Sequence, residues 1–456
     1  MDISRKDVGM EQAEVKAGER YGTVTAPPSK SAAHRLLILA ALSDGVCRVG
    51  CPCPSDDVLA TASCLSALGM PVTFSDGCFT ASGRTPAAVP AVCDCGESGS
   101  TLRFLIPLAG ALGTGAVFVM RGRLPSRPLE PFESLLASRG MIFSRDGNRL
   151  FVSGKLRPGN YSIRGDVSSQ YITGLLLSLP LLSGDSTLEV TGRIESGGYI
   201  AMTEEAMRTS GIVFEKNGNI YKIPGGQRPS LPPFADAGGD WSGAAFFLCA
   251  GALSEKGITV LGLRPGTKQG DAAILDILAS FGAEVSADAG SVTVKRGKLR
   301  GITLDASGVP DLIPVVSVVA SVSEGVTVIK NAGRLRLKES DRLAGTAALI
   351  RSLGGGAGVS GDDLIITGKK RLHGGTADSL SDHRLAMSAA VAAFVCERSV
   401  TVTDPSCVAK SYPGFWDDLE SLKGVQVRSR RNRPIRMRVM TETYFRKKSI
   451  MAMYIE

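Results

Sequence analysis

The chain alternates between apolar helical stretches and short apolar strands, and the alternation has a fixed period. Six segments have the pattern of a helix that stops at a glycine and continues into a short strand. Glycine is the usual residue just beyond a helix end, because it adopts the left-handed conformation without strain. The stop glycines are 71, 71, 71, 72 and 70 residues apart. They are Gly69, Gly140, Gly211, Gly282, Gly354 and Gly424. This period predicts six copies of one structural unit.

A second series of six helices keeps the same period. These helices are apolar nearly all round, as in "TGLLLSLPLL" and "SAAVAAFVC", so we expect them to be buried. Their predicted ranges are 31–45, 99–113, 168–184, 240–257, 310–325 and 382–397. Each unit therefore has about 70 residues, two helices and short β runs such as "TLEVTG". Three units in each of two similar domains give an α/β fold.

Polar and basic residues stand at the starts of these helices. A helix start offers free N–H groups and about half a positive charge, which suits an anion. A serine or aspartate at one such start is explained by ordinary capping. Capping does not require the basic residues, which are Lys30, Arg35, Arg103, Arg127, Lys338, Arg342, Arg384 and Lys410. The set predicts a cleft between the domains that binds a substrate carrying phosphate and carboxylate groups.

Composition and charge narrow the class of protein. No apolar run reaches the roughly 18 residues needed to span a bilayer, and the polar N-terminus has no secretory signal. We therefore expect a cytoplasmic protein whose ten cysteines are reduced. Of the net charge of +8, the tail 428–456 supplies +7, with nine Lys/Arg and two Asp/Glu. The neutral main body argues against nucleic-acid binding, and the basic tail is interpreted as a disordered extension.

Two other kinds of site lack support in the sequence. The phosphate-binding G-x-x-x-x-G-K-[ST] motif is absent, which argues against nucleotide binding of that type. Cys51 and Cys53, like Cys93 and Cys95, are separated by one residue without a nearby histidine, so we expect no metal site. His383 lies at a helix start between an aspartate and an arginine, where functional and structural interpretations are equally open.

Nine motifs in order over about residues 20–424 resemble the 5-enolpyruvylshikimate-3-phosphate synthase family. They are "PPSKSAAHR", "GESGSTLRF", "SRPLEPF", "VSSQYITGLLL", "SGGYIAMT", "VPDLIPVV", "LKESDRL", "SDHRLAM" and "AKSYPGF". The resemblance implies two inside-out α/β domains, each of three βαβαββ units, joined by a two-strand hinge. Residues 1–27 plus 239–427 would form the phosphoenolpyruvate-side domain, and residues 28–238 the shikimate-3-phosphate-side domain.

The resemblance also implies the reaction. The enolpyruvyl group of phosphoenolpyruvate would pass to the 5-hydroxyl of shikimate 3-phosphate, with release of phosphate, in the shikimate pathway to chorismate and the aromatic amino acids. The enzyme would be a transferase without metal or organic cofactor and a target of glyphosate. Its partners would be these two small molecules, with no nucleic acid and no membrane, and it would act as a monomer.

Site residues follow from the same motifs. The resemblance gives the shikimate 3-phosphate site as Lys30, Ser31, Arg35, Ser168, Ser169, Gln170, Ser196, Tyr199, Asp311 and Lys338. It gives the phosphoenolpyruvate site as Lys30, Gly99, Arg127, Gln170, Arg342, Arg384 and Lys410. The catalytic residues would be Asp311, which takes the proton of the 5-hydroxyl, Glu339, which protonates the methylene carbon, and Lys30. Protonation of carbon at neutral pH requires that burial raise the pKa of Glu339.

Two positions depart from the family pattern. Glu97 stands where many members have Asn, and we expect its carboxylate to turn away or to pair with a base such as Arg103. Arg334 stands where some members have Asn and is left out of the predicted site. Two alternatives stay open, a UDP-N-acetylglucosamine enolpyruvyl transferase of the same fold and a non-catalytic protein that binds phosphorylated ligands. The first commonly has Lys-Asn where this chain has Lys30-Ser31, and the second would not need Asp311 and Glu339 together.

Overall fold

Each predicted unit forms its own small sheet in the computed structural model, which describes residues 12–83, 90–424 and 428–429. The described residues contain twelve α-helices. These are α1 Lys30–Leu42, α2 Asp56–Ala67, α3 Gly99–Leu112, α4 Phe132–Ser138, α5 Ser169–Ser178, α6 Gly197–Thr209, α7 Trp241–Ala252, α8 Ile274–Phe281, α9 Ile313–Ala320, α10 Arg342–Ser352, α11 His383–Ala392 and α12 Phe415–Ser421. Helices of the two predicted series alternate along the chain.

The strands of the first half are β1 Gln12–Val15, β2 Arg20–Thr25, β3 Val46–Gly50, β4 Val72–Ser75, β5 Cys78–Ser82, β6 Ala91–Gly96, β7 Ala116–Met120, β8 Met141–Asp146, β9 Arg149–Gly154, β10 Gly159–Arg164, β11 Ser186–Thr191, β12 Glu215–Asn217 and β13 Ile220–Ile223. Those of the second half are β14 Phe234–Asp236, β15 Ile258–Leu261, β16 Glu284–Asp288, β17 Ser291–Lys295, β18 Thr303–Asp305, β19 Val326–Lys330, β20 Gly356–Ser360, β21 Asp363–Thr367, β22 Gly375–Ala377, β23 Val400–Thr403, β24 Lys423–Gly424 and β25 Arg428–Ser429.

Six sheets with one topology confirm the sixfold repeat. In each sheet a parallel pair is extended by two antiparallel strands, in the orders β6-β7-β9-β8, β10-β11-β13-β12, β14-β3-β5-β4, β2-β15-β17-β16, β18-β19-β21-β20 and β22-β23-β1-β25. In the fourth sheet, β24 adds antiparallel to the outer side of β2. The unit β10-α5-β11-α6-β12-β13 gives the βαβαββ order directly along the chain. All six stop glycines have positive φ, from 75° at Gly211 to 116° at Gly424, as predicted for helix ends.

Two strands are contributed from distant parts of the chain. Strand β2 pairs in parallel with β15, and β14 pairs in parallel with β3. The chain therefore crosses twice between the halves of the molecule, just after β2 and just after β14. The crossings lie side by side, because Ser29 N donates to Gly238 O at 2.7 Å and Asp240 N donates to Pro27 O at 2.8 Å. These bonds join the two strands of the hinge.

Buried apolar residues form two separate clusters. One runs from Ala33 to Ala237, and the other joins Val15 and Val24 to residues 241–422. The second helix series lies inside, as predicted, because every residue of α7, α9 and α11 is buried. Sheets surround these helices, which is the inside-out arrangement. Within the described ranges, no helix combines the length and apolarity needed to cross a bilayer. The predicted tail lies outside the described residues except for β25, which pairs with β1.

Candidate active site

A cavity lies between the two clusters of buried apolar residues, and starts of buried helices from both halves form its wall. Fifteen of the sixteen predicted site residues line this cavity. They are Lys30, Ser31, Arg35, Gly99, Arg127, Ser168, Ser169, Gln170, Ser196, Tyr199, Asp311, Lys338, Glu339, Arg342 and Arg384. The sixteenth, Lys410, lines a neighbouring cavity together with Glu97, and its positive charge acts on Glu339 and Asp57 in the wall of the first cavity.

At the helix starts, the residue that caps the helix and the residue that lines the cavity are adjacent in the sequence. Side chains that accept a backbone N–H cap five of the six buried helices, at 2.9–3.3 Å. They are Ser29, Ser98, Ser168, Asp240 and Asp382. The residues immediately after the caps, such as Lys30 and Gly99, line the cavity. Helix capping and the lining of an anion-binding cavity therefore both explain the polar helix starts. The capping residue fixes the end of the helix, and the residues that follow it face the cavity.

Arg35 is held by the protein on several sides. Its guanidinium donates to Thr203 Oγ1 at 2.8 Å, to Ser31 O at 2.6 Å and to Tyr199 O at 2.8 Å. Burial lowers the pKa of Arg35 to about 10, which leaves it charged at neutral pH. Arg35 thus adds a positive charge to the wall and fixes helix α1 against α6 at the same time.

Arg334 belongs to the cavity although the sequence analysis left it out. It lies on the half opposite to Ser196, and its Nη1 donates to Glu195 Oε2 at 2.8 Å and to Ser196 Oγ at 3.4 Å. Its Nη2 donates to Val167 O at 3.4 Å, next to the cap of α5. A guanidinium therefore reaches the serine-lined part of the cavity from the other half. Its position four residues before Lys338, in a basic stretch, was the available signal in the sequence.

Arg342 is the centre of a buried ion-pair cluster. Its side chain is 1% exposed and contacts Asp382 Oδ2 at 2.7 Å, Asp311 Oδ1 at 2.8 Å and Glu339 Oε2 at 2.6 Å. Lys338 Nζ adds a contact to Asp311 Oδ1 at 3.3 Å. A buried charge must be paired, and here three carboxylates share the one guanidinium of Arg342. The two predicted proton-transfer groups, Asp311 and Glu339, are consequently held next to each other.

These contacts set the ionisation of both carboxylates. Burial alone would raise the pKa of Asp311, but the positive charges of Arg384, Lys338 and Arg342 outweigh it and hold that pKa well below its ordinary value. For Glu339, burial is likewise outweighed by Arg342 and Arg127. The expectation of a raised pKa at Glu339 is therefore wrong. Burial was considered without the guanidinium groups that the fold places beside it.

The start of α3 faces two arginines. A methyl group added at Gly99 would lie 2.5 Å from Arg103 Nη1 and 2.9 Å from Arg127 Nη1, so glycine is required for this close approach. Arg103 also donates to Gln170 Oε1 at 3.1 Å. Arg127 lies 3.7 Å from Glu339 Oε1 across the cavity, and its Nε has no protein partner among the described residues. This corner presents positive charge and a glycine backbone.

The carboxylate of Glu97 was expected either to turn away from the site or to pair with a base such as Arg103. It pairs with a base, but that base is Lys410. The Lys410 Nζ lies 3.1 Å from Glu97 Oε2, with side chains 10% and 44% exposed. The pair joins the two halves of the molecule at the rim of the cavity. Gly122 makes room for the carboxylate, since a methyl group there would lie 2.3 Å from Glu97 Oε1.

His383 lines the cavity and is 1% exposed. Neither ring nitrogen has a protein hydrogen-bond partner among the described residues. Burial and the nearby charge of Lys30 hold its pKa well below the ordinary value, so the ring is neutral at physiological pH. The structure places His383 at the site, which the sequence alone left open.

The chain is similar in sequence to one family of known proteins. Residues 16–419 match the family model described as EPSP synthase (3-phosphoshikimate 1-carboxyvinyltransferase). A 3-phosphoshikimate 1-carboxyvinyltransferase of Clostridium kluyveri is 40% identical, over 91% of this chain and 98% of the relative. One of Clostridium beijerinckii is 41% identical over the same shares of the two chains.

Solved structures share the fold at lower identity. An EPSP synthase from Acinetobacter baumannii has a TM-score of 0.77 at 22% identity, over 92% of this chain and 100% of its own. The enolpyruvyl transferase NikO from Streptomyces tendae has a TM-score of 0.73 at 19% identity, over 92% and 99%. The six βαβαββ units are therefore the fold of the enolpyruvyl transferases. Within that class, the chain belongs to the EPSP synthase family. The two alternative functions are not favoured by these comparisons.

Proposed function

We propose that this enzyme transfers the enolpyruvyl group of phosphoenolpyruvate to the 5-hydroxyl of shikimate 3-phosphate and releases phosphate. The observation that carries the proposal is that Asp311 and Glu339 share Arg342 inside the same cavity as the anion-binding helix starts. A protein that only binds phosphorylated ligands needs the cationic wall but not two buried carboxylates beside it.

The shikimate 3-phosphate site uses helix starts of the 28–238 half. Its phosphate would lie at the start of α5, on Ser168 and Ser169, with Ser196 and Arg334 on the other side. Hydroxyl groups, helix N–H groups and one guanidinium together suit a phosphate dianion. The carboxylate of the same substrate would lie near Ser31, beside the positive charges of α1. Lys30, Gln170, Tyr199 and Lys338 complete this site.

The phosphoenolpyruvate site lies between the two halves. Lys30, Gly99, Arg127, Gln170, Arg342, Arg384 and Lys410 would hold its phosphate and carboxylate. Lys410 is paired with Glu97 beside this site, so it would leave Glu97 or be shared with it to contact phosphoenolpyruvate. Cations from both halves would then share one anionic substrate, which draws the halves together. We propose that residues 1–27 plus 239–427 and residues 28–238 are the two domains that close.

Substrate binding would change the protonation of Glu339. Phosphoenolpyruvate anions would compete for Arg342 and Arg127, the cations that now hold the pKa of Glu339 down. Once those charges are shared with the substrate, burial dominates and the pKa rises. Glu339 would thus become a proton donor only in the loaded cavity.

The chemistry proceeds by addition and elimination. The 5-oxygen bonds to C2 of phosphoenolpyruvate, Asp311 takes the hydroxyl proton, and Glu339 delivers a proton to the methylene carbon. Glu339, now a carboxylate, takes a proton back from the new methyl group, and phosphate leaves with the electrons of the C–O bond. Lys30, which lies 3.2 Å from Asp57 Oδ2, supplies positive charge beside both substrates. The cavity is built within one chain, in keeping with a monomer, and we place the enzyme in the cytoplasm.

Phosphate release tests this proposal. We expect release only when phosphoenolpyruvate and shikimate 3-phosphate are both present. Asp311→Asn and Glu339→Gln should each slow release by about 10²–10⁴-fold, with shikimate 3-phosphate binding retained. Release without the shikimate compound, or full activity in Asp311→Asn, would contradict the proposal.

A further inference from the structure

A tyrosine from one half of the molecule lies between two aspartates of the other half. The hydroxyl of Tyr199, on α6, is 2.9 Å from Asp311 Oδ2 and 3.3 Å from Asp271 Oδ2. A phenol carries one proton, so it can donate fully to only one of these carboxylates. The second contact becomes a full hydrogen bond only when that carboxyl group itself carries a proton.

Asp271 is placed by a close backbone contact between the halves. It is 4% exposed and lies in the single 3-10 turn Gly270–Ala273. A methyl group added at Gly198, in the first turn of α6, would lie 2.7 Å from Gly270 N. The two glycines therefore let α6 approach this turn closely enough for Tyr199 to reach Asp271. Asp271 is absent from the cavity wall and reaches the site through two residues that line it, Tyr199 and Ser242.

The two oxygens of Asp311 have different surroundings. Oδ1 faces cations, with Arg342 Nη1 at 2.8 Å, Lys338 Nζ at 3.3 Å and Arg384 Nε at 3.5 Å. Oδ2 accepts a hydrogen bond from the Tyr199 hydroxyl. A proton taken up by Asp311 is destabilised by three neighbouring positive charges, and the Tyr199 hydroxyl offers it a path away from them within the protein.

Asp271 is the better resting place for that proton. Burial and the negative charge of Asp311 raise the pKa of Asp271 to about 6. The groups that face it are Asp311 and Asp240, which favour its protonation, Arg384, which opposes it, and the hydroxyls of Tyr199 and Ser242. Ser242 connects Asp271 to Arg384, since Arg384 Nη2 donates to Ser242 Oγ at 2.6 Å.

We propose that Tyr199 and Asp271 form a proton relay behind Asp311. The substrate hydroxyl gives its proton to Asp311. Asp311 passes a proton to the Tyr199 oxygen while the original Tyr199 proton moves to Asp271 Oδ2. Tyr199 stays neutral, Asp311 returns to a carboxylate, and Asp271 ends as a carboxylic acid. The inference rests on the proposed role of Asp311 in the reaction.

The test compares Asp271→Asn and Tyr199→Phe with matched controls. Asp276→Asn makes the same change at an exposed aspartate five residues further along. Tyr412→Phe removes a hydroxyl that bonds Asp418 Oδ2 at 2.7 Å, a tyrosine–carboxylate pair outside the cavity. The measurements are kcat and KM from pH 5 to 9, with shikimate 3-phosphate binding by calorimetry.

A relay requires an ionised Asp271 before each turnover. We therefore expect the kcat of the wild-type enzyme to fall on the acid side with an apparent pKa near 6. Asp271→Asn should lower kcat by about 10²-fold and remove this acid limb. Binding of shikimate 3-phosphate should be unchanged. Tyr199→Phe should lower kcat similarly, and the double variant should be no worse than either single one, because both changes break the same path.

Two results would overturn the relay. One is wild-type kcat in Asp271→Asn, and the other is a lowered kcat in which the acid limb persists, since that is the signature of a purely structural defect. The control variants should match the wild type. Asp311→Asn separates this inference from the proposed function. If it retains turnover, the role of Asp311 is wrong, whereas loss there with full activity in Asp271→Asn removes the relay alone.

Discussion

Glu97→Gln removes one negative charge from the rim of the cavity and leaves the side chain nearly the same size. In the structure this carboxylate pairs with Lys410 at 3.1 Å, across the two halves of the molecule. Lys410 is the predicted phosphoenolpyruvate ligand that Glu97 holds in the neighbouring cavity. The substitution should therefore release Lys410 for the substrate and remove a repulsion of the substrate anions.

The magnitude follows from exposure. Glu97 is 44% exposed, so its pair with Lys410 is screened by solvent and contributes in the range of exposed pairs, about 0–1 kcal/mol. If phosphoenolpyruvate must compete for Lys410, removing the pair returns at most this energy to substrate binding. We expect the KM for phosphoenolpyruvate to fall by up to about fivefold. The KM for shikimate 3-phosphate should not change, because Glu97 is not among the residues that line its proposed site.

The assay is initial-rate phosphate release at varied phosphoenolpyruvate and saturating shikimate 3-phosphate. Glu133→Gln is the matched control, since Glu133 pairs with Arg145 at 3.8 Å away from the cavity. The difference between wild type and Glu97→Gln should shrink at high salt, where the Debye length falls from about 10 Å at 0.1 M to about 3 Å at 1 M. A KM for phosphoenolpyruvate that stays the same or rises would refute competition and indicate that Glu97 positions Lys410.

Three further predictions concern affinity and stability. Gly99→Ala should raise the KM for phosphoenolpyruvate without changing shikimate 3-phosphate binding, because the added methyl group displaces two guanidiniums within 3 Å, and it should weaken a phosphonate mimic such as glyphosate still more. Asp382→Ala should lower the free energy of unfolding by about 1.5–3 kcal/mol in urea titrations, since it removes one of the three carboxylates that pair with the buried Arg342, at 2.7 Å. Buried His34 and His383 have lowered pKa values, so they take up protons on unfolding at acid pH. Their contribution is complete above about pH 6.5, and stability should fall below it by up to about 1.4 kcal/mol per pH unit for each histidine.

Each of these three predictions has a control variant and a result that would contradict it. Gly358→Ala adds a methyl group that meets no heavy atom within 4 Å and should leave the KM values unchanged. Equal weakening of the mimic and of phosphoenolpyruvate in Gly99→Ala would contradict the steric explanation. Asp288→Ala removes an exposed carboxylate, and an equal loss of stability there would dismiss the special role of Asp382. His34→Gln, but not exposed His373→Gln, should reduce the pH dependence of stability, and equal slopes would disprove its origin in buried histidines.

The repeat was predictable because each unit carries its own local signals. A stop glycine such as Gly282 and an apolar helix such as α7 depend on residues a few positions apart. The helix starts were predictable for the same reason, whereas the full set of site residues, fifteen of which line the cavity, came from the family resemblance. The hinge came from the family resemblance, because the exchange of β2 and β14 between units leaves no periodic signal.

The features of the site that were not predicted depend on residues that are distant from each other in the sequence. Arg334 reaches Ser196, 138 positions away, and Lys410 reaches Glu97, 313 positions away. No local pattern reports such pairs. The same reason explains the wrong expectation for the pKa of Glu339. Its ionisation is set by guanidiniums from separate segments, whereas sequence reasoning supplied only its burial.

The central claim is that one cavity joins the enolpyruvyl group to the 5-oxygen of shikimate 3-phosphate. The most direct measurement mixes the enzyme with both substrates, follows phosphate by ³¹P NMR and weighs the organic product by mass spectrometry. The account predicts one phosphate released for each molecule of shikimate 3-phosphate that gains an enolpyruvyl group, and loss of both signals in Asp311→Asn. Phosphate release without the enolpyruvyl product, or binding of both substrates without any reaction, would contradict it.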